Sequence, residues 1–322
     1  MGTELMMDAL VIEQHGQAAL RRMPRPEVPP GGVMIRVHYS GVSIGTEMLQ
    51  GTGKHSNLAL PFIAGYQAAG EVVEVGPDTQ AFQPGDPVTI FCRGSHASFA
   101  VANADRVQRI ASLDAAYLSS LFVQPCVGAN ALDQAGVRAE DSVLVIGQGM
   151  IGQATAALAR LRGCFVAATD VSPSRLAVSA AHCADWAIDA RVGPMAQQIA
   201  RRYPKGFSVV LETTGSSQVL DDALNCCTQG GRFSFVGYHP GRISLPFNVM
   251  HVKELQTHFP WFIGKQVLRD GVLRLIGSGA FPMRPLISHS LKWSEVLPLY
   301  QTLFTPERDA LNAIVIDWRD AS

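Results

Sequence analysis

The sequence predicts an α/β protein in which a doubly wound parallel sheet follows an amino-terminal β-barrel-like domain. Three observations carry that reading. The first third holds short apolar or β-branched runs cut by turn residues, the stretch from Ser142 to Val236 alternates strand and helix patterns, and a glycine-rich turn joins the first strand and helix of that alternation. With 322 residues, 47% of them hydrophobic and 16% charged, the chain is long enough for two ordinary domains with buried cores.

In the first third the strand-like runs are Ala9–Ile12, Val33–Tyr39, Ala69–Val75, Pro87–Phe91 and Ser98–Ala102, bounded by Pro-Pro-Gly-Gly at 29–32, Gly-Pro-Asp at 76–78 and Pro-Gly-Asp at 84–86. That spacing suits a compact barrel. A long turn-poor segment, Ala115–Gln134, ends at Gly136 as a helix would, and a domain boundary falls near its start. Strands are then expected at Ser142–Ile146, Cys164–Thr169, Trp186–Asp189, Ser208–Glu212 and Gly231–Val236, with helices at Gly149–Arg162, Ser174–His182, Met195–Tyr203 and Ser217–Cys226 between them. Such alternation implies right-handed crossovers and a parallel sheet. The last segment reads as a helix through Ile276, an extended stretch Leu286–Ser290, a helix Ser294–Leu303 and a strand Asn312–Asp317. The domains expected are residues 119–265 for the sheet with its helices, and 1–118 with 266–322 for the other.

Residues Ser142–Gly152 run from a buried strand into G-x-G-x-x-G at Gly147, Gly149 and Gly152. In such a loop the first glycine allows the tight turn, the second lets backbone approach a pyrophosphate, and the third lets helix and strand pack closely; the helix amino terminus, here with Met150 and Ile151, offers N–H groups to the anion. The next strand ends in Asp170, 18 residues beyond Gly152. An acidic side chain there accepts the ribose hydroxyls of NAD and repels the 2′-phosphate of NADP, so NAD(H) is the expected cofactor; Arg175 is the nearby cation that could meet a phosphate. As a helix cap Ser172 is better placed than Asp170. Thr213, Thr214 and Gly215, and then Val236, Gly237 and Tyr238, end the next two strands at the sheet edge where ligands bind in these folds.

The order of parts resembles the medium-chain dehydrogenase/reductase superfamily, the zinc alcohol dehydrogenase and quinone reductase group, over essentially the whole chain. The resemblance rests on Ser40-Gly41-Val42, Gly45-Thr46-Glu47, the run Ala64–Gly76, Gln83–Val88, the Gly147–Gly152 fingerprint and Ala184–Asp189. It implies a GroES-like catalytic domain beside a Rossmann domain. Gly-Thr-Glu with Asp317-Trp318 near the end is similar to the zinc-free group that includes bacteriochlorophyllide hydroxyethyl dehydrogenase. The departures concern metal. Where zinc members carry Cys-Gly-Thr-Asp and Gly-His-Glu, this chain has Ile44-Gly45-Thr46-Glu47 and Gly65-Tyr66-Gln67, and of Gln124-Pro125-Cys126 only Cys126 could coordinate. Phe91–His96 runs on without a four-cysteine lobe. A catalytic zinc needs about three S, N or carboxylate ligands, so no zinc is expected.

Without a metal, the oxygen that develops alkoxide character needs hydrogen-bond donors or an acid. Tyr66, in the slot of a metal ligand, is the first candidate, Thr46 matches the family's proton-passing hydroxyl, and His96 lies by the family's layout on the same cleft. Gln67 and Gln124 either orient substrate or fill the volume the metal vacated. Trp261 and Phe262, in His258-Phe259-Pro260-Trp261-Phe262, suggest an apolar substrate wall. The leading expectation is a zinc-independent NAD(H)-dependent enzyme interconverting a secondary alcohol and a ketone on an apolar, secondary-metabolite or tetrapyrrole-like small molecule. A C=C reductase and a non-catalytic dinucleotide-binding sensor or partner subunit are the alternatives.

Lys+Arg of 26 against Asp+Glu of 27 provides no basic field for nucleic acid. No apolar stretch reaches the roughly 20 residues of a membrane span, and Met1–Asp8 lacks the features of a leader, so a cytoplasmic location is expected. The six cysteines form no C-x-x-C pair and read as reduced, buried small hydrophobes. The resemblance implies a homodimer joined through the sheet edge near Leu255–Phe262.

Overall fold

The computed structural model describes residues 5–54 and 58–322; the first four residues of the Met1–Asp8 segment lie outside them. The chain divides into two units, Met1–Val123 with Arg269–Ser322, and Gln124–Leu268. The helix expected over Ala115–Gln134 is broken. A single turn at Ala116–Ser119 ends, and a second helix starts at Val123. At the break the chain passes strand Gly32–Val42 so closely that a β-carbon on Gly41 would lie 2.4 Å from the Ser120 carbonyl oxygen.

In the first unit, strand Gly32–Val42 is the organising element. It pairs antiparallel with Gln67–Val75 along most of its length, with Phe99–Asn103 near its start and with Ala313–Asp317 near its end. Register shifts between Met34 and Ile35 and between Val37 and Tyr39 bend it, which is how one strand serves three partners. Pro87–Phe91 and Val107–Arg109 continue the sheet on one side and Ile287–Lys292 closes it on the other. A second sheet holds Gln17–Pro24, Met6–Gln14 and Phe62–Ile63. Val33, Ile35, Val37, Val72, Val88, Ile90, Ile314, Ile316 and Trp318 share one core. The carboxy-terminal segment, whose allegiance the sequence leaves open, thus supplies a strand to this unit's sheet. Strand Gln17–Pro24 and helix Ile44–Gly51 were not expected from the sequence.

The second unit is a six-stranded sheet, parallel at every pairing, in the order Trp186–Asp189, Phe165–Asp170, Ser142–Ile146, Phe207–Glu212, Cys227–Phe235, Gln256–His258. Counted along the chain this is 3-2-1-4-5-6, the Rossmann order. Every residue of Ser142–Ile146 is buried, as a central parallel strand covered on both faces requires. The order reverses between that strand and Phe207–Glu212, and Ile146 and Glu212 are paired where both strands end. The loops that leave these two residues therefore meet at the switch point, where such sheets bind ligands. The sixth strand falls within Leu255–Phe262, where a sheet edge was expected; helix Phe247–Val252 was not foreseen, and the helix expected over Ser217–Cys226 is α-helical only at Leu220–Asn225. Among the described residues no helix is long and apolar enough to cross a membrane.

Candidate functional site

The glycine loop has the geometry its sequence requires. Gly147 turns at φ +89°, and a β-carbon there would lie 2.7 Å from Thr214 Cγ2 and 2.8 Å from Thr213 Oγ1. Gly149 has no heavy atom within 4 Å of the place of a β-carbon, so its face is open. Gly152, one turn into helix Met150–Leu161, would place a β-carbon 1.8 Å from the Gly147 carbonyl oxygen. Gly149 is the helix cap and makes no side-chain cap bond, so the first-turn N–H groups, on Met150, Ile151 and Gly152, point to a place where an anion can sit.

Beneath the loop, buried Gln148 donates from Nε2 to the Val145 and Gly147 carbonyls (3.0 and 2.9 Å) and accepts from Ser179 Oγ (2.8 Å). Its backbone N–H donates to Asp170 Oδ2 at 2.5 Å, and Ser172 N–H donates to Asp170 Oδ1 at 2.7 Å. Asp170 is therefore tied to the loop rather than capping a helix; Ser172 is the cap of Pro173–His182 and accepts from Arg175 N–H. Each carboxylate oxygen has a further acceptor site. These residues fit a dinucleotide: an open backbone cradle for the pyrophosphate, and an anchored carboxylate at the end of the neighbouring strand for a ribose.

At the switch point the sequence reading missed two residues. Glu212 is fully buried, and its Oε1 accepts from Thr214 N–H (2.5 Å), Gly215 N–H (3.1 Å) and the Thr214 hydroxyl, while Oε2 faces His239 Nε2 at 2.8 Å. The Glu212 carbonyl also accepts from Val236 and Gly237 N–H, both at 2.8 Å. One residue so binds the Thr213–Gly215 and Val236–Tyr238 loops together. Gly215 (φ +69°) and Gly237 allow the approach, since a β-carbon on Gly237 would lie 2.2 Å from Gly215 N. Thr213 Oγ1 adds bonds to the Ile146 and Gly147 carbonyls. The signal was present, a charged residue closing an apolar strand, but nothing local names its partner 27 residues on.

Beside these loops lies a cavity of about 350 Å³ lined by Phe235, Tyr238, His239, Ile243, Phe259 and Trp261, among others. Trp261 is 72% and Phe262 41% exposed, and Asn130 Nδ2 holds both of their carbonyls. Phe262 itself has φ +76°.

In the first unit the expected catalytic residues separate. Thr46 is half-buried in helix Ile44–Gly51, and Tyr66 is half-buried with its ring edge-on to Phe91 at 5.8 Å. His96 is fully buried, its Nδ1 pairs with Ser40 Oγ (2.8 Å) and its Nε2 with Glu47 Oε2 (3.0 Å). Trp318 Nε1–H, a donor only, gives to Ser40 Oγ (2.8 Å), so the serine proton goes to Nδ1 and the imidazole N–H lies on Nε2, toward Glu47. Glu47 also accepts from Tyr300 OH (2.7 Å) and Ser43 N–H (2.8 Å). Burial first, and Glu47 second, push the Tyr300 phenol well above its usual pKa. Both ring nitrogens of His96 are thus engaged, and the side chain has no exposed surface. Gln67 and Gln124 are also enclosed, 0% and 2% exposed, and Gln67 Oε1 accepts from Val123 N–H.

Ile44, Tyr66 and Gln67 stand where zinc members of the resembling family carry metal ligands. Among the described residues no three His, Cys, Asp or Glu side chains stand together as ligands, and Cys126 is buried. Burial raises the Cys92 thiol to about 12 against a weaker opposing pull from Arg106.

Known proteins extend this picture. Residues 29–115 match the alcohol dehydrogenase GroES-like domain and residues 151–278 the zinc-binding dehydrogenase domain, together about two thirds of the chain. D-altritol 5-dehydrogenase of Agrobacterium fabrum is 27% identical over 91% of this chain and 95% of its own length. 2-Desacetyl-2-hydroxyethyl bacteriochlorophyllide A dehydrogenase of Cereibacter sphaeroides is 26% identical over 97% and 98%. The crystal structure of a zinc-binding dehydrogenase from Sinorhizobium meliloti 1021, bound to NADP, superposes with a TM-score of 0.88 at 21% identity, covering 98% of this chain and all of that one. The chain belongs to the medium-chain dehydrogenase/reductase superfamily, a superfamily of oxidoreductases that use a nicotinamide cofactor.

Proposed function

We propose that this protein is a zinc-independent oxidoreductase that uses NAD(H) to interconvert a secondary alcohol and a ketone. Asp170 carries the cofactor choice. Its carboxylate is held at the end of the second sheet strand by two backbone N–H groups, and a 2′-phosphate brought to it would meet a fixed negative charge. Gly147, Gly149, Met150, Ile151 and Gly152 would hold the pyrophosphate, and Thr213–Gly215 with Val236–Tyr238 the nicotinamide half; Arg175 is the neighbouring cation. The two curated relatives act on alcohols, which supports alcohol and ketone as the reacting pair over a C=C bond. That a fold neighbour binds NADP keeps the C=C reductase as the second reading.

The bound nicotinamide supplies a hydride acceptor or donor. This chain's own residues must hold the substrate and manage the proton on its oxygen. Tyr66 and Thr46 are proposed as hydroxyl donors to that oxygen, the task a metal performs in zinc members. The exposed aromatic surface of Trp261 and Phe262 beside Phe259 supports a fairly apolar substrate of the secondary-metabolite or tetrapyrrole-like kind. One of the two outer strands of the parallel sheet, Gln256–His258, is proposed as the edge of a homodimer; light scattering at the monomer mass would remove that part. The decisive experiment titrates chelator-treated protein with NADH and with NADPH by protein fluorescence and reads metal content on the same sample. NADH preferred by about tenfold or more, with no stoichiometric zinc, supports the proposal. NADPH preference moves it to the C=C reductase, and stoichiometric zinc ends the metal-free mechanism.

A further inference from the structure

The residues above leave one chemical requirement open. Oxidation of an alcohol releases a proton as well as a hydride, and a tyrosine or threonine hydroxyl, with a pKa of about 10 or more, is a poor final acceptor near neutral pH. His96 is sealed away. His239 is not.

His239 follows the Val236–Tyr238 loop and lines the cavity of about 350 Å³. Its Nε2 faces Glu212 Oε2 at 2.8 Å, the histidine side chain being 9% exposed and the glutamate 0%. Glu212 cannot turn away, because its other oxygen is held by Thr214 and Gly215. The carboxylate accepts only, so Nε2 carries the hydrogen and Nδ1 is the basic nitrogen. Nδ1 has no hydrogen-bond partner among the described residues. Phe235 packs edge-on to the ring at 6.0 Å and is itself stacked on Phe259, which fixes the imidazole from the apolar side. A base oriented by a buried carboxylate in the lining of a pocket is the arrangement general acid–base chemistry uses.

We propose that His239, oriented by Glu212, is the catalytic acid–base residue of this site. The inference rests on the NAD(H) alcohol–ketone reading. As the alcohol carbon gives its hydride to NAD⁺, the hydroxyl proton passes to His239 Nδ1 and the C–O bond becomes C=O; the imidazolium keeps its Nε2–H on Glu212. In ketone reduction Nδ1 returns the proton to the oxygen as NADH delivers hydride. Glu212 stabilises the charged ring and is a positioning residue.

A consequence can be read without turnover. If His239 stands at the nicotinamide end, its protonation opposes the positive ring of NAD⁺ but not the neutral ring of NADH. Glu212 faces it from the adjacent strand, Tyr238 lines the same cavity, and the remaining cavity side chains, Phe235, Val236, Ile243, Phe259, Pro260 and Trp261, are uncharged. An imidazole is the side chain that changes charge between about pH 5 and 8. The test measures NAD⁺ and NADH affinity across that range in the wild type and in H239Q, whose amide can still donate to Glu212, and adds kcat/KM against pH for any secondary alcohol or polyol that the wild type turns over. The expected result is NAD⁺ binding that weakens about tenfold toward acid pH in the wild type and is flat in H239Q, with NADH affinity in both proteins within about twofold. Any turnover should lose its acid limb in the variant. NAD⁺ binding independent of pH in the wild type, or an acid limb that survives H239Q, overturns the proposal, and loss of NADH binding in H239Q shows His239 to be only a structural tie. Failure of wild-type protein to bind NADH would sink the cofactor reading instead.

Discussion

Gly152 and Gly147 touch through the absence of a side chain: a β-carbon on Gly152 would lie 1.8 Å from the Gly147 carbonyl oxygen. Helix Met150–Leu161 is thereby seated on the loop that its own strand feeds. Gly152→Ala must push the helix or the loop away. Thermal unfolding should register a loss of about 1–3 kcal/mol, and NADH affinity should fall with it. An alanine variant that binds NADH as the wild type does would mean the cradle lies elsewhere.

Asp170 has two functions that one substitution can separate. Asp170→Asn keeps the size and one backbone bond but loses the charge and an acceptor for either Gln148 or Ser172 N–H. Stability should drop by about 1 kcal/mol. The ratio of NADPH to NADH affinity should rise by about tenfold. An unchanged ratio, measured by the same fluorescence titration, removes Asp170 from cofactor selection.

The Glu47 hub should behave as structure. Tyr300→Phe removes one donor from a buried carboxylate that keeps two others, His96 Nε2 and Ser43 N–H. Urea unfolding is expected to show a loss of about 1–3 kcal/mol. The pH dependence of NAD⁺ binding should not move, which sets this network apart from His239.

Burial raises the thiols of Cys92, Cys183 and Cys227 to about 12 from an ordinary 9.0, and raises Cys226 further. A raised folded pKa means that the unfolded chain loses its protons first. The stability these groups contribute is complete below about pH 9 and declines as pH climbs toward 12. Urea midpoints should therefore fall between about pH 9 and 11. Ellman's reagent should find almost no fast thiol in the folded protein and six after denaturation; rapid labelling of the native state would contradict the burial.

What the sequence disclosed follows from where the information sits. The glycine loop, its strand, its helix and Asp170 lie within one βαβ unit, and each has a fixed spacing with a physical reason, so they were legible. The Ser40, Glu47, His96, Tyr300 and Trp318 cluster joins five separate stretches of chain, and only the fold brings them together; His96 looked like any single histidine. Glu212 and His239 are separated by a whole crossover. Strand Gln17–Pro24 hid behind the adjacent charges of Arg21 and Arg22, because one of its faces is open and the alternation is broken there. The helix expected over Ala115–Gln134 had composition on its side, and close packing of Gly41 against Ser120 broke it.

The unequal continuity of the two units has a consequence during synthesis. The parallel sheet is built from one uninterrupted run, Gln124–Leu268, and can close as soon as that run has left the ribosome. The other unit cannot. Its long strand Gly32–Val42 waits for Ala313–Asp317, and the Asp8 carboxylate waits for Ser322. Until Ala313–Asp317 has emerged, the sheet is incomplete and a stretch of Gly32–Val42 is unpaired. Chaperone demand and aggregation in the cell should therefore track the amino-terminal strands, even though the translation-folding order would make the dinucleotide fold the first part to mature.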